Sequence, residues 1–79
     1  MSDLNNIILG KDGFVFDSRS GNTYHTNEVG NLIISFLQSG KAIEDIARAV
    51  SETYSLDQNE ALIDVLEFKN HLTIVGLLK

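Results

Sequence analysis

The stretch from Asp57 to Leu78, DQNEALIDVLEFKNHLTIVGLL, constrains the fold more than any other part of the chain. It opens on a helix start signal. Asp57 can accept from the free N–H groups of a first turn, and Glu60 stands where a capping box places its return bond. It closes on Gly76, which can take the left-handed conformation that ends a helix, with Leu77 where a Schellman motif places its apolar contact. The helix between them is roughly 18 residues long, a rod of about 27 Å at about 1.5 Å per residue. Its apolar residues are too many for one face. Ala61, Leu62, Val65, Phe68 and Leu72 form the stripe that a small core needs. Ile63, Leu66 and Ile74, with Asn70 among them, form a second line at spacings of three and four. Either the second line also packs inside, or part of it lines a groove for a partner.

A chain of 79 residues is long enough for one domain, here residues 1–79, and buries about 60–65% of its unfolded surface. There is no cysteine, so neither a disulfide framework nor a thiolate zinc site is expected. No apolar run approaches the roughly 18 residues of a membrane span, and MSDLNN has no basic stretch followed by a long apolar one. A cytoplasmic protein without membrane contact is the expectation.

The upstream segments read as strands, then helices. Ile7-Ile8-Leu9, Phe14-Val15-Phe16 and Thr23-Tyr24-His25-Thr26 are β-prone, separated by turns at Gly10–Gly13 and Asp17–Asn22. Phe14, Phe16 and Tyr24 are expected to share the buried face of this meander, with Thr23 and His25 pointing the other way. Asn27 is an N-cap candidate with Glu28 beside it, Val29, Leu32, Ile33, Phe36 and Leu37 follow at helical spacing, and Gly40 is the stop. A second helix spans Ala42 to Tyr54 with Ile43, Ile46, Ala47, Val50 and Tyr54 on one stripe. The order β-β-β-α-α-α predicts an α+β fold, winged-helix-like, with a three-stranded antiparallel meander followed by three helices.

No catalytic constellation is present. His25 and His71 are the only imidazoles, and neither has a second histidine three or four residues away. No serine sits in a nucleophile elbow, and Lys11 lies in a turn between strands rather than in a phosphate loop. No metal, no cofactor and no enzymatic activity are expected. Two binding architectures remain. A winged-helix transcription regulator would present Arg, Lys, Asn or Gln to base edges. Here Glu44, Asp45 and Glu52 stand against Arg48 on the second helix, and Asp57, Glu60, Asp64 and Glu67 against Lys69 on the third. The other architecture is strand addition: Thr23–Thr26 ends the meander, so its outer edge can pair with an extended peptide, and it carries no lysine or proline to block pairing.

The segment Tyr24-His25-Thr26-Asn27-Glu28-Val29-Gly30, the closing Gly40, Ile43-Glu44-Asp45-Ile46-Ala47, and Asp64-Val65-Leu66-Glu67-Phe68 with Leu72 and Gly76-Leu77-Leu78 occur here in order. This set resembles the PqqD family, the small peptide-chaperone proteins of pyrroloquinoline quinone (PQQ) biosynthesis, and the wider group of recognition elements for ribosomally made, modified peptides. Thr26 stands where that family usually has an apolar residue, and the prolines common in its turns are missing. The resemblance implies a non-catalytic adaptor that binds a precursor's leader peptide as an added strand between the third strand and third helix. It then delivers the peptide to a modifying enzyme, often a radical S-adenosylmethionine (radical SAM) enzyme. The expected peptide-binding residues are Thr23, Tyr24, His25 and Thr26 on the strand, with Ile63, Leu66, Asn70 and Ile74 on the helix. A structural homodimer joined through that second apolar line is the third reading.

The net charge is −5, and the six basic residues are spread singly. No nucleic-acid partner is expected. In a gel-shift assay at physiological salt, random duplex DNA should not be retarded at about 10⁻⁴–10⁻⁶ M protein, the usual range of phosphate-driven binding. Retardation that weakens steeply with salt would favour the regulator instead.

Overall fold

The computed structural model describes residues 3–77. Leu78, the last residue of the resemblance, lies outside them. Three strands come first: β1 (Ile7–Leu9), β2 (Phe14–Asp17) and β3 (Thr23–His25). Three helices follow: α1 (Glu28–Gln38), α2 (Ile43–Tyr54) and α3 (Gln58–Ile74). Short 3₁₀ turns at Asp3–Asn6 and Lys11–Gly13 precede the first two strands. The sheet is an antiparallel meander in the order β1-β2-β3. This is the expected α+β arrangement. No helix among the described residues is long and apolar enough to cross a membrane.

Local chemistry sets the helix ends. Asn27 caps α1 by accepting from Gly30 N–H at 2.8 Å. Asp57 caps α3 through Oδ2, which accepts from Asn59 and Glu60 N–H. The ends use left-handed backbone: Gly40 at φ 81°, Ser55 at φ 55° and Gly76 at φ 85°. Leu77 N–H then reaches back to Leu72 O at 2.9 Å, the six-to-one bond of a Schellman ending. The start of the chain is tied down by Gln38, whose Nε2 donates to the carbonyls of Leu4 and Ile7.

Strand β2 turns the opposite face inward from the one expected, while β3 faces as expected, with Tyr24 inward and Thr23 and His25 outward. Val15 is buried, whereas Phe14 and Phe16 are 52% and 39% exposed. Tyr24 pairs directly with Val15 and shares its face, so it does not lie with the two phenylalanines. Phe14, Phe16, Thr23, His25 and Ile8 occupy the outer face, where the Phe14 and His25 rings meet edge to face at 5.1 Å. Alternation says which residues share a face but not which face meets the helices. The inward face also carries Asp17, only 3% exposed. Its carboxylate is satisfied inside its own turn, by Arg19 N–H at 3.0 Å and the Ser20 hydroxyl at 2.9 Å.

Two apolar clusters hold the helices. Leu4, Ile7, Val15, Ile34, Leu72 and Leu77 join the sheet to α1 and the end of α3. Ile33, Ile46, Ala47, Val50, Ala61 and Val65 join the three helices. Leu37 and Phe68 pack against both clusters, so α3 spans the two. Its second apolar line does not pack inside. Ile63, Leu66 and Ile74 are 56%, 48% and 73% exposed, and Asn70 is exposed as well. At about 100° per residue that line lies on the far side of the helix from Ala61, Val65 and Leu72.

This division predicts unequal mutational costs. Ile34→Ala empties a fully buried site and should lower unfolding free energy by about 2–5 kcal/mol. Ile63→Ala should change it by no more than about 0.5 kcal/mol. Urea midpoints measured on both variants check the contrast.

Asp17 predicts a pH effect. Burial raises its pKa, but the Ser20 hydroxyl and the Arg19 and Ser20 N–H groups favour the carboxylate more strongly. The net result is a pKa below the ordinary 3.8. The folded-state pKa is depressed, so this stability is fully present above the unfolded-chain value and is lost as pH falls through the folded one. Asp17→Asn should flatten the acid limb of a stability–pH curve below about pH 4. An unchanged acid limb would show that the turn is not stabilised by charge.

Candidate peptide-binding edge and cleft

The site is built around β3, which among the described residues pairs only with β2. Hydrogen bonds at both ends of this ladder fix its phase. Thr26 N–H donates to Gly13 O at 2.8 Å, and Asp17 N–H donates to Asn22 O at 2.9 Å. In an antiparallel pair the bonded positions alternate, so Asn22, Tyr24 and Thr26 turn their main-chain groups toward β2. Thr23 and His25 turn theirs outward, to the free edge. The side chains follow the other alternation: Tyr24 points toward α3 and α1, while Thr23 and His25 point to the outer sheet face.

Two glycines allow close packing against the end of this strand, Gly13 from the turn that starts β2 and Gly30 from α1. A Cβ on Gly13, at φ 83°, would run into the Thr26 carbonyl. A Cβ on Gly30 would collide with Thr26 Oγ1 and lie 2.9 Å from Cε1 and Cζ of Phe68. Thr26, α1 and the Phe68 ring therefore meet at a point that no larger residue at position 30 would allow.

Between β3 and α3 lies a cavity of about 120 Å³. Tyr24, His25 and Thr26 line it from the strand, and Phe68, His71, Leu72 and Val75 from the helix. Val15, Ile34 and Leu77 form its apolar floor. Three of the four strand residues expected from the sequence thus reach this cleft, and Thr23 continues the same edge. The four expected helix residues do not. Ile63, Leu66, Asn70 and Ile74 are exposed and line no part of the cavity. The helix contributes the face carrying Phe68, His71 and Val75 instead, which the sequence reading passed over. The signal was present: these residues follow one another at spacings of three and four. Among the described residues no group of three or more His, Cys, Asp or Glu could hold a metal ion.

Fold and edge together define a winged-helix-like α+β module with an open strand edge beside an apolar cleft. The chain belongs to the family of coenzyme PQQ synthesis protein D (PqqD), which it matches over residues 12–78. Two solved structures share its fold. TbiB1 in complex with the TbiA(beta) leader peptide is 27% identical, with a TM-score of 0.79 over 95% of this chain and 91% of that one. Lasso peptide synthetase B1 complexed with the leader peptide is 23% identical, with a TM-score of 0.79 over 92% of this chain and 87% of that one. A comparison with curated proteins gives no match.

Proposed function

We propose that this chain is a non-catalytic peptide-binding adaptor. It captures the leader of a ribosomally made precursor peptide as a fourth strand on β3 and presents it to a separate modifying enzyme, such as a radical SAM enzyme, in the cytoplasm. The observation that carries the proposal is the free edge of β3, where the main chains of Thr23 and His25 open beside the apolar cleft. An extended peptide there gains main-chain hydrogen bonds from the edge. Every second side chain of the incoming strand turns inward, between Tyr24 and Thr26 on one side and Phe68, His71 and Val75 on the other. Membership of the PqqD family supports this use of the edge, as does the leader peptide named with TbiB1. Ile63, Leu66, Asn70 and Ile74, on the outer surface of α3, are left for contact with a protein partner.

Proline tests the edge directly. It fits an edge strand where the N–H faces solvent, so Thr23→Pro should leave the fold intact. It removes one free-edge donor and crowds the incoming strand. Binding of leaders from precursor peptides encoded near its gene should weaken by at least about tenfold, about 1.4 kcal/mol. Titration by fluorescence anisotropy measures this, with the amide spectrum as the control for folding. An affinity equal to that of the unaltered chain would rule out strand addition on β3.

A further inference from the structure

A second, wider and more open cavity adjoins the cleft, a surface depression with a volume of about 550 Å³. It opens between the start of α1, the end of α2 and the first half of α3. Val29, Ile33, Leu56 and Phe68 give it an apolar floor, Tyr54 adds a phenol, and Asp64 and Glu67 stand on its α3 side. Both carboxylates are on exposed residues, and among the described residues neither has an ion-pair partner. Phe68 lines this cavity and the cleft alike, and Asn27, directly after Thr26, lines its entrance. The end of a chain lying on β3 at Thr26 therefore comes near this cavity, with the Phe68 ring as the shared wall.

We infer that this cavity takes an arginine or lysine of the same leader peptide, from the segment that leaves the paired strand beside Thr26. The assignment rests on the strand-addition reading and adds a charge requirement to it. An apolar floor edged by carboxylates suits a side chain with a long aliphatic stem and a cationic head. The stem covers Val29, Leu56 and Phe68, and the head meets Asp64 and Glu67. A purely apolar residue would cover the floor but bring no charge to the two carboxylates beside it. An acidic residue would be repelled by them and by the chain's net charge of −5. The cation lies N-terminal to the paired stretch if the leader adds antiparallel to β3, and C-terminal to it if parallel.

A displayed library of random 16-residue peptides, selected on the full chain, tests this. Selected peptides should share an alternating apolar stretch with Arg or Lys at one fixed offset beyond it. The strongest of them should bind the Asp64→Asn/Glu67→Gln double variant at least about tenfold more weakly, and replacing its cation by methionine should abolish that difference. Both altered positions are exposed, and an unchanged thermal melt verifies the variant's fold. Selected peptides without a positional cation, or equal affinity for variant and parent, overturn the charged subsite while leaving strand addition standing if Thr23→Pro still weakens binding. Selection of no alternating stretch at all overturns both.

Discussion

The close approach of α1 to Phe68 and Thr26 is the constraint on which the rest of the structure depends. Gly30 makes it possible, because any side chain there would strike Thr26 and the Phe68 ring. Phe68 is in turn the residue of α3 that packs against both apolar clusters. With this crossing fixed, the first half of α3 lies on α2 and its second half over the sheet. The crossing also separates two openings, the cleft beside β3 and the larger cavity beyond Thr26, each with Phe68 as a wall. A helix packed uniformly against the sheet would have left neither. The geometry that stabilises so short a chain is thus the geometry that leaves its strand edge accessible.

The parts of this fold that were legible in the sequence are those set by local chemistry. Asn27 and Asp57 announce helix starts, and Gly40 and Gly76 announce ends, because each acts on backbone groups within a few residues of itself. The stripe of α2 was legible from its spacing, whereas that of α1 omitted Ile34, which is fully buried, and included Leu32, which joins neither cluster. The facing of β2 was not legible. Two phenylalanines flanking one valine look like the buried set, since aromatic burial removes more apolar area from water. The helices decide otherwise, and the choice becomes intelligible only with Asp17. That carboxylate follows the face of Val15 and can be buried there because its own turn supplies the hydrogen bonds.

The candidate site divides along the same line. Tyr24, His25 and Thr26 line the cleft, and their place at a free edge was legible because a meander's last strand has one, which is a statement about topology. Ile63, Leu66 and Ile74, with Asn70 among them, are an apolar surplus on α3, and surplus does not specify direction. The cleft uses the flank of the core stripe, Phe68, His71 and Val75, where a side chain can touch the interior and the groove at once. The outer sheet face, with Phe14 and Phe16 exposed, extends beside the same edge. A fourth strand on β3 would carry half its side chains onto that face next to Thr23 and His25, so a bound peptide would enlarge an apolar surface already present.

The most direct test of the central claim is an isotope-filtered NOE measurement on the labelled chain with an unlabelled leader peptide. A leader paired on β3 gives a ladder of cross-strand contacts from peptide Hα and H-N protons to the backbone of Thr23 and His25, with side-chain contacts from the peptide to Tyr24 and Phe68. Contacts confined to α2, or absent from the β3 backbone, would contradict that claim.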